Sequence, residues 1–177
     1  MKKYVALLRG INVGGNNRVE MKKLKTVFES LGYANVSTYI NSGNVIFESS
    51  KNEKDLLVEI EKAIQKNFGL VIKTLICDSN NFEKLTKRIP ADWKNDTKMR
   101  TDILFLWDFF DTKSLLKLIV SNKDVDRLIC VPRAIVWNVD RKNFGKSGMK
   151  KFIGTELYKN MTARNVDTVR KLEGLLS

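Results

Sequence analysis

The residues with the clearest potential for chemistry lie in a loop rich in glycine and asparagine, which runs from Arg9 to Asn17. An apolar run (residues 4–8) precedes the loop and an amphipathic segment follows it, so we predict a strand, the loop and a helix. Such a loop directs backbone N–H groups and the positive end of the helix toward an anion. Gly14 and Gly15 would let a ligand approach the backbone, whereas Glu20 in the first helical turn opposes an anion. The alternative is that the glycines serve only the shape of the turn.

A second polar loop follows the predicted helix. Residues 36–40 and 45–47 flank the sequence Asn-Ser-Gly-Asn at 41–44, which is typical of a β-hairpin. Asparagine and glycine tolerate the left-handed conformation that tight turns require, so we interpret this motif primarily as a turn. Tyr39 beside it either packs in the strand, donates a hydrogen bond or stacks on a base. The sequence lacks the RNA-recognition motif, which excludes that class of RNA-binding domain.

Two arginines pose a choice between structural pairing and ligand binding. Arg9 ends the first apolar strand, and Arg164 lies in the sequence TARN at 162–165. An unpaired buried charge is very costly, so each guanidinium must be paired inside the protein or presented to a ligand. We predict that Asn165 caps the last helix, which leaves Arg164 free to reach a ligand or the first unit.

The composition and motifs exclude several kinds of site. The chain has no histidine, which excludes Ser-His-Asp and Cys-His nucleophilic sites and the commonest zinc sites. The loop at 9–17 lacks the Gly-Lys-Ser/Thr ending of a P-loop and is not G-x-G-x-x-G. The sequence FGKSG at 144–148 resembles a P-loop ending, but Asp140 stands where the first glycine is required. We therefore predict no metal site and no cofactor, and we retain Lys146 as a candidate phosphate contact.

The elements that carry these loops predict an α+β fold. Residues 1–77 follow the order β-α-β-β-α-β, which is typical of a ferredoxin-like subdomain with both helices on one face of an antiparallel sheet. Residues 78–100 are predicted to form a short helix and a linker. Residues 101–177 repeat β-α-β-β, with a helix at 111–121, and end in a basic segment and a helix at 165–176. We therefore predict two tandem ferredoxin-like (βαββαβ-type) subdomains, the second degenerate, with a C-terminal helix.

Charge and composition favour an anionic partner. The 177 residues include 32 Lys or Arg and 20 Asp or Glu, which gives a net charge of +12 and a pI near 9.7. Residues 141–177 contribute nine basic and three acidic residues, a net charge of +6. Such charge favours nucleic acid or a phosphorylated small molecule as partner. No segment approaches the roughly 18 apolar residues of a membrane span and the N-terminus lacks a signal-peptide core, so we expect a cytoplasmic protein with no membrane partner.

Four spaced motifs run through the chain from end to end: RGINVGGNN, VEMKKL, TYINSGNVIF and TARNVDTVRKL. Together they resemble the DUF1697 family of uncharacterised bacterial proteins. The resemblance implies a two-part α+β fold without an established biochemical function. The polar positions of the family fall on Arg9, Gly10, Asn12, Gly14, Gly15, Asn16, Tyr39, Ser42, Gly43, Asn44, Thr162, Arg164 and Asn165.

Three hypotheses for function remain open. The first is binding of a phosphate-bearing anion, RNA or a nucleotide, through the glycine, asparagine and arginine motifs. The second is an enzyme acting on a small anionic substrate in the crevice between the subdomains, in which Arg9 and Arg164 hold the substrate and Tyr39 or a lysine transfers protons. The third is an interaction protein that forms homo-oligomers through open sheet faces and whose motifs are only structural. The candidate ligand-binding residues are Arg9, Asn12, Gly14, Gly15, Asn16, Tyr39, Ser42, Asn44, Lys146, Arg164 and Asn165.

Overall fold

A computed structural model describes residues 1–15, 17–107 and 118–177 of the chain. These residues form a mixed α+β structure with two four-stranded antiparallel sheets. The strands are β1 Lys2–Leu8, β2 Ala34–Tyr39, β3 Asn44–Ser49, β4 Thr74–Asp78, β5 Met99–Leu106, β6 Asp126–Val131, β7 Ala134–Asp140 and β8 Met161–Asn165. The α-helices are α1 Met21–Ser30, α2 Glu53–Phe68, α3 Ser79–Thr86, α4 Met149–Phe152 and α5 Val166–Leu176, and 3₁₀ helices span Arg141–Lys146 and Tyr158–Asn160. Most of the helix predicted at 111–121 lies outside the described residues.

The chain packs as two compact units. The first unit comprises Met1–Phe82 and Leu172–Ser177, and the second comprises Glu83–Lys171. The sheet of the first unit has the strand order β2-β3-β1-β4, and that of the second has the order β6-β7-β5-β8. Counted from its own first strand, each sheet therefore has the same order, with its first and third strands in the centre.

The core of the first unit forms where its sheet packs against helices α1 and α2. The cluster contains Tyr4, Ala6 and Leu8 of β1, Leu24 and Phe28 of α1, and Leu56, Ile60 and Ile64 of α2. These positions follow a period of two in the strand and of three to four in the helices, so each element buries one face. Phe47 of β3 lies among aromatic rings, with its centroid 4.8 Å from that of Tyr33 and 5.4 Å from that of Phe28. This packing fixes the sheet from which two polar loops emerge.

Local signals set the ends of helix α2. The Oδ1 atom of Asn52 accepts a hydrogen bond from the backbone N–H of Asp55 at 3.0 Å, which caps the first turn. Gly69 ends the helix in the left-handed conformation, with φ of 67°, which glycine adopts at the least cost. The apolar run at 70–77 forms part of β4 only from residue 74 onward. Val71, which precedes the strand, is 82% exposed.

Strand β8 is an element that the sequence analysis missed. Its sequence, MTARN, alternates apolar and polar residues only over the four positions 161–164, which is a weak strand signal. It nevertheless pairs with β5, so that Arg164 lies opposite Ile103 and Thr162 lies opposite Phe105. Thr162 and Arg164 are only 3% and 7% exposed. The second sheet thus has a fourth strand that carries buried polar side chains.

A buried carboxylate holds several segments of the second unit together. Asp126, which is 8% exposed, accepts hydrogen bonds from the side chains of Trp137 and Ser147 and from the backbone N–H groups of Asn122 and Gly148. Burial by itself raises the pKa of Asp126, but these four donors outweigh burial and hold the pKa below its usual value. Ser147 is 4% exposed, and its hydroxyl donates to a carboxylate whose two oxygens each accept two hydrogen bonds. The Ser–Asp pair therefore joins segments of the fold, and Ser147 is not placed to act as a nucleophile.

We predict that Asp126→Asn lowers the free energy of unfolding by about 3 kcal/mol near neutral pH, because an amide nitrogen cannot accept the bonds that one carboxylate oxygen accepts. The folded-state pKa of Asp126 lies below the unfolded value of about 3.9, so the stabilisation is complete above that value and is lost as pH falls through the folded-state pKa. The difference in the free energy of unfolding between wild type and Asp126→Asn should therefore become smaller in acid. Urea unfolding across the acid range measures it.

Asp124→Asn is the matched control for this experiment, because Asp124 is exposed and lies two residues away. Its cost should be small at every pH. If the difference in the free energy of unfolding between wild type and Asp126→Asn stays constant or grows in acid, the lowered pKa of Asp126 is contradicted.

Candidate ligand-binding cleft

The loop between β1 and α1 has an unusual backbone. Five of its described residues have positive φ angles, namely Gly10 (66°), Asn12 (55°), Gly14 (60°), Gly15 (81°) and Asn17 (48°). Glycine and asparagine adopt this left-handed conformation at the least cost, which explains why the loop is composed of them. At Gly14 and Gly15 a Cβ atom would meet no heavy atom within 4 Å, so the space beside their backbone is open. Asn16, another predicted site residue, lies outside the described residues.

Asn12 joins this loop to the hairpin turn between β2 and β3. Its Oδ1 accepts a hydrogen bond from the backbone N–H of Val19 at 2.8 Å. Its Nδ2 donates to the carbonyl oxygens of Val19 and Asn41, each at 2.9 Å. Every hydrogen-bonding group of the amide is thus engaged within the protein. We had expected Asn12 to contact a ligand, and the structure shows instead that its amide fixes the positions of the loops.

The hairpin turn is built from the residues that the sequence analysis singled out there. The Nδ2 of Asn44, a fully buried side chain, donates to the Tyr39 carbonyl oxygen at 3.0 Å and to the Ser42 Oγ at 3.1 Å. Gly43 has φ of 78°, and its carbonyl oxygen accepts a hydrogen bond from the Leu8 N–H at 2.8 Å. A Cβ at Gly43 would lie 2.8 Å from the Leu8 Cβ, which leaves no room for a larger residue. The interpretation of this motif as a turn is therefore confirmed.

Two exposed apolar side chains lie in these loops. Val13 in the first loop is 64% exposed, and Ile40 at the hairpin turn is 48% exposed. Ile40 also has φ of 49°, a conformation that is strained for a β-branched residue. Strain of this kind is concentrated at ligand-binding and switch regions of proteins, because the surrounding structure must hold it in place. The hairpin turn thus holds a strained β-branched residue at this end of the first unit.

A cleft of about 610 Å³ opens where the two loops meet. It is lined by Asn12, Gly15, Arg18, Val19, Glu20, Met21 and Asn41. Val19 is buried, whereas its neighbours Arg18 and Glu20 are both exposed and both line the cleft. Neither charged side chain forms a hydrogen bond or an ion pair with any residue that the structure describes. The carboxylate of Glu20 is not used to cap α1 either. The cleft thus offers a guanidinium and a carboxylate to a ligand.

The other predicted site residues of the first unit do not line this cleft. Arg9 is half-buried, and its backbone N–H donates to the Lys73 carbonyl oxygen at 2.9 Å. Tyr39, Ser42 and Asn44 take part in the turn through the contacts described above. The sequence analysis did not select Arg18 or Asn41 as ligand contacts. The available signal was the order Arg-Val-Glu, in which one apolar residue separates two charges.

Three further predicted site residues belong to the second unit. Lys146 is exposed at the end of a 3₁₀ helix, and its carbonyl oxygen accepts a hydrogen bond from the Asn122 Nδ2 at 3.1 Å. Arg164 is buried, and burial lowers its pKa to about 10. The Nη1 of Arg164 donates to the Thr162 Oγ1 at 3.0 Å and to the Ala163 carbonyl oxygen at 2.8 Å. The expectation that Arg164 would be free to reach a ligand is therefore wrong.

Asn165 performs the capping role predicted from the sequence. Its Oδ1 accepts a hydrogen bond from the backbone N–H of Thr168 at 2.8 Å, at the start of α5. The bond satisfies one of the N–H groups that a helix leaves unpaired in its first turn. Asn165 therefore has a structural role that explains its presence in the TARN motif.

In residues 1–15, 17–107 and 118–177, no helix has the length and apolar character needed to cross a membrane. The same ranges contain no group of three or more His, Cys, Asp and Glu side chains arranged to hold a metal ion.

The fold and the two polar loops define a mixed α+β protein with a loop-built cleft in its first unit. The chain belongs to the family described as "Protein of unknown function (DUF1697)", which matches residues 1–135. This match includes the whole cleft. A solved structure of a conserved bacterial protein from Streptococcus pneumoniae is similar, with a TM-score of 0.87 and 27% sequence identity over 99% of each chain. No curated protein matches the sequence.

We predict that Asn12→Gly lowers the free energy of unfolding by about 2–3 kcal/mol, because it removes three hydrogen bonds at about 1 kcal/mol each. Glycine retains the positive φ, so the substitution tests the amide and not the backbone. The backbone N–H of Val19 should also lose protection from hydrogen exchange, because its acceptor is gone. Urea unfolding and amide exchange measure the two effects.

The matched control is Asn17→Gly, at a residue whose φ is also positive and whose Nδ2 makes one exposed hydrogen bond to the Gly10 carbonyl oxygen. Its cost should be about 1 kcal/mol or less. Equal costs for the two variants, with Val19 still protected, would show that Asn12 does not join the loops.

Proposed function

We propose that the cleft binds a phosphate-bearing anion, such as a nucleotide or the phosphate of an RNA. The observation that carries the proposal is the exposed guanidinium of Arg18, which lines the cleft and makes no hydrogen bond or ion pair with a described residue. A guanidinium presents its N–H donors in a planar fork that matches the oxygens of a phosphate. An arginine held at the wall of a cleft is well suited to this task.

The backbone of the glycine-rich loop supports the same function. Gly15 lines the cleft and Gly14 immediately precedes it; both have positive φ and both are exposed. Successive N–H groups in turn conformations form concave anion sites in many proteins. Because a Cβ atom at either residue would meet no heavy atom of the described part of the chain within 4 Å, a phosphate can approach their backbone closely. The net charge of +12 would also attract an anionic ligand from solution.

We further propose that the cleft is carried by a ferredoxin-like subdomain and that the second sheet is its repeat. The order β1-α1-β2-β3-α2-β4 in the first unit and the common strand order of the two sheets support this arrangement. In such a subdomain, loops that follow β1 and β2 emerge at the same end of the sheet. This placement would explain why two loops distant in sequence jointly form one cleft.

The structure offers less support for the two other hypotheses. Self-association through an open sheet face requires such a face, but Val5, Leu7, Ile46 and Leu75, which point away from α1 and α2, are each at most 4% exposed. Tyr39, one of the candidates for proton transfer, does not line the cleft, and no lysine is among its lining residues in the described part of the chain. Binding of an anion is therefore the function that the cleft supports best.

We predict that Arg18→Gln weakens binding of a 5′-phosphorylated RNA dinucleotide about tenfold or more, which corresponds to the loss of a charge-assisted hydrogen bond of about 1.5–3 kcal/mol. The substitution is at an exposed position and should leave stability within about 0.5 kcal/mol of wild type. Isothermal titration calorimetry at several salt concentrations measures the affinity. For a single-stranded ligand, each phosphate contact should contribute about −0.7 to the slope of log affinity against log salt.

Lys25→Gln is the matched control, since Lys25 is an exposed cation of α1 that does not line the cleft. It removes the same net charge and should weaken binding far less than Arg18→Gln. Equal effects of the two substitutions would show that only the overall charge attracts the ligand, and the proposal would then fail.

A further inference from the structure

The cleft contains a feature that a simple phosphate site does not require. Glu20 lines it together with Arg18, and its carboxylate makes no hydrogen bond or ion pair within the described part of the chain. A carboxylate repels a phosphate, so its presence in a site for phosphate alone would reduce affinity. Only one residue, Val19, separates the two charges, and their Cα atoms therefore lie within about 7 Å of each other. A ligand bound to one side chain will thus be close to the other.

We infer that the ligand is a phosphorylated sugar, free or as part of a nucleotide, whose hydroxyl groups donate hydrogen bonds to Glu20 while Arg18 holds its phosphate. The inference rests on the proposed anion-binding function of the cleft. An ionised carboxylate is an acceptor only, so it selects a ligand with hydroxyl or amino donors. An acidic residue that accepts from ribose hydroxyls beside a phosphate-binding loop is a known physical solution in dinucleotide-binding folds.

The remaining wall of the cleft fits the same ligand class. Met21, which is half-buried, adds apolar surface to the lining, against which the carbon face of a sugar or a base can pack. Asn41 is exposed in the wall, and its side chain makes no hydrogen bond with any residue in the described ranges. Its amide therefore remains available as both donor and acceptor. The cleft volume of about 610 Å³ lies in the range of small-molecule sites and far exceeds that of a phosphate ion.

The sign of the effect of Glu20→Gln tests this inference. The ligands are methyl phosphate, which has a phosphate but no hydroxyl donor when fully ionised, and ribose 5-phosphate, which has both. Backbone-amide NMR titration at a pH well above the second phosphate pKa of about 6 measures both affinities. If Glu20 accepts a hydrogen bond from the sugar, Glu20→Gln should weaken the binding of ribose 5-phosphate about tenfold, because that bond is weakened. The same substitution should tighten the binding of methyl phosphate, because the repulsion between carboxylate and phosphate is relieved.

If Glu20 instead only repels anions, Glu20→Gln will increase the affinity for both ligands or leave both affinities unchanged, and the inference is wrong. Failure of the proposed function gives a different result: neither ligand binds the wild type, or Arg18→Gln changes neither affinity. Glu29→Gln is the matched control, since Glu29 is an exposed carboxylate of α1 outside the cleft. It should not weaken ribose 5-phosphate.

Two further ligands distinguish the sources of the phosphorylated sugar. Adenosine 5′-monophosphate adds a base, and a 5′-phosphorylated RNA adds a chain. The one that binds the wild type most tightly, and that Glu20→Gln also weakens, identifies the source. If none of the sugar-bearing ligands binds the wild type more tightly than methyl phosphate, the inference is overturned.

Discussion

Asn12 uses every hydrogen-bonding group of its amide to connect two loops whose residues are 29 positions apart in the chain. One side of the amide holds Val19 through both its N–H and its carbonyl oxygen, and the other hydrogen reaches the Asn41 carbonyl oxygen. Side-chain bonds of this kind substitute for the backbone pairing that loops lack. The cleft opens where these loops meet, so its geometry depends on one neutral side chain whose amide is engaged within the protein.

That arrangement separates the structural groups of the cleft from the groups left for chemistry. Val19 is fixed by Asn12 and buried, and it therefore determines where the charges of Arg18 and Glu20 lie. These two opposite charges lie close together and form no ion pair with a described residue. They are complementary to a ligand that carries both an anionic group and hydrogen-bond donors. The strained backbone of Ile40 beside the same turn agrees with a region shaped for binding at some cost in stability.

The fold of the first unit could be predicted because its signals are local. The continuous apolar run of β1, the stop at Gly69 and the Asn-Ser-Gly-Asn turn each act through neighbouring residues. Strand β8 could not be predicted in this way, because its buried Thr162 and Arg164 gain their place from pairing with β5, which is distant in sequence. In the candidate site, the importance of the Gly/Asn loop was visible in the sequence, but the roles within it were not. Asn12 was expected to bind a ligand and holds the loops, whereas Arg18 was overlooked because an exposed arginine in a sequence resembles any other surface charge.

The most direct test of the anion-binding cleft is a crystal structure of the protein soaked in tungstate, a heavy analogue of phosphate whose anomalous scattering locates it without bias. If the cleft binds anions, we expect a tungstate ion in it, within hydrogen-bonding distance of the Arg18 guanidinium and of the N–H groups of Gly14 and Gly15. We also expect that the ion is lost from this position in crystals of Arg18→Gln. Tungstate bound only at surface lysines, with the cleft empty in the wild type, would contradict the proposal that the cleft binds anions.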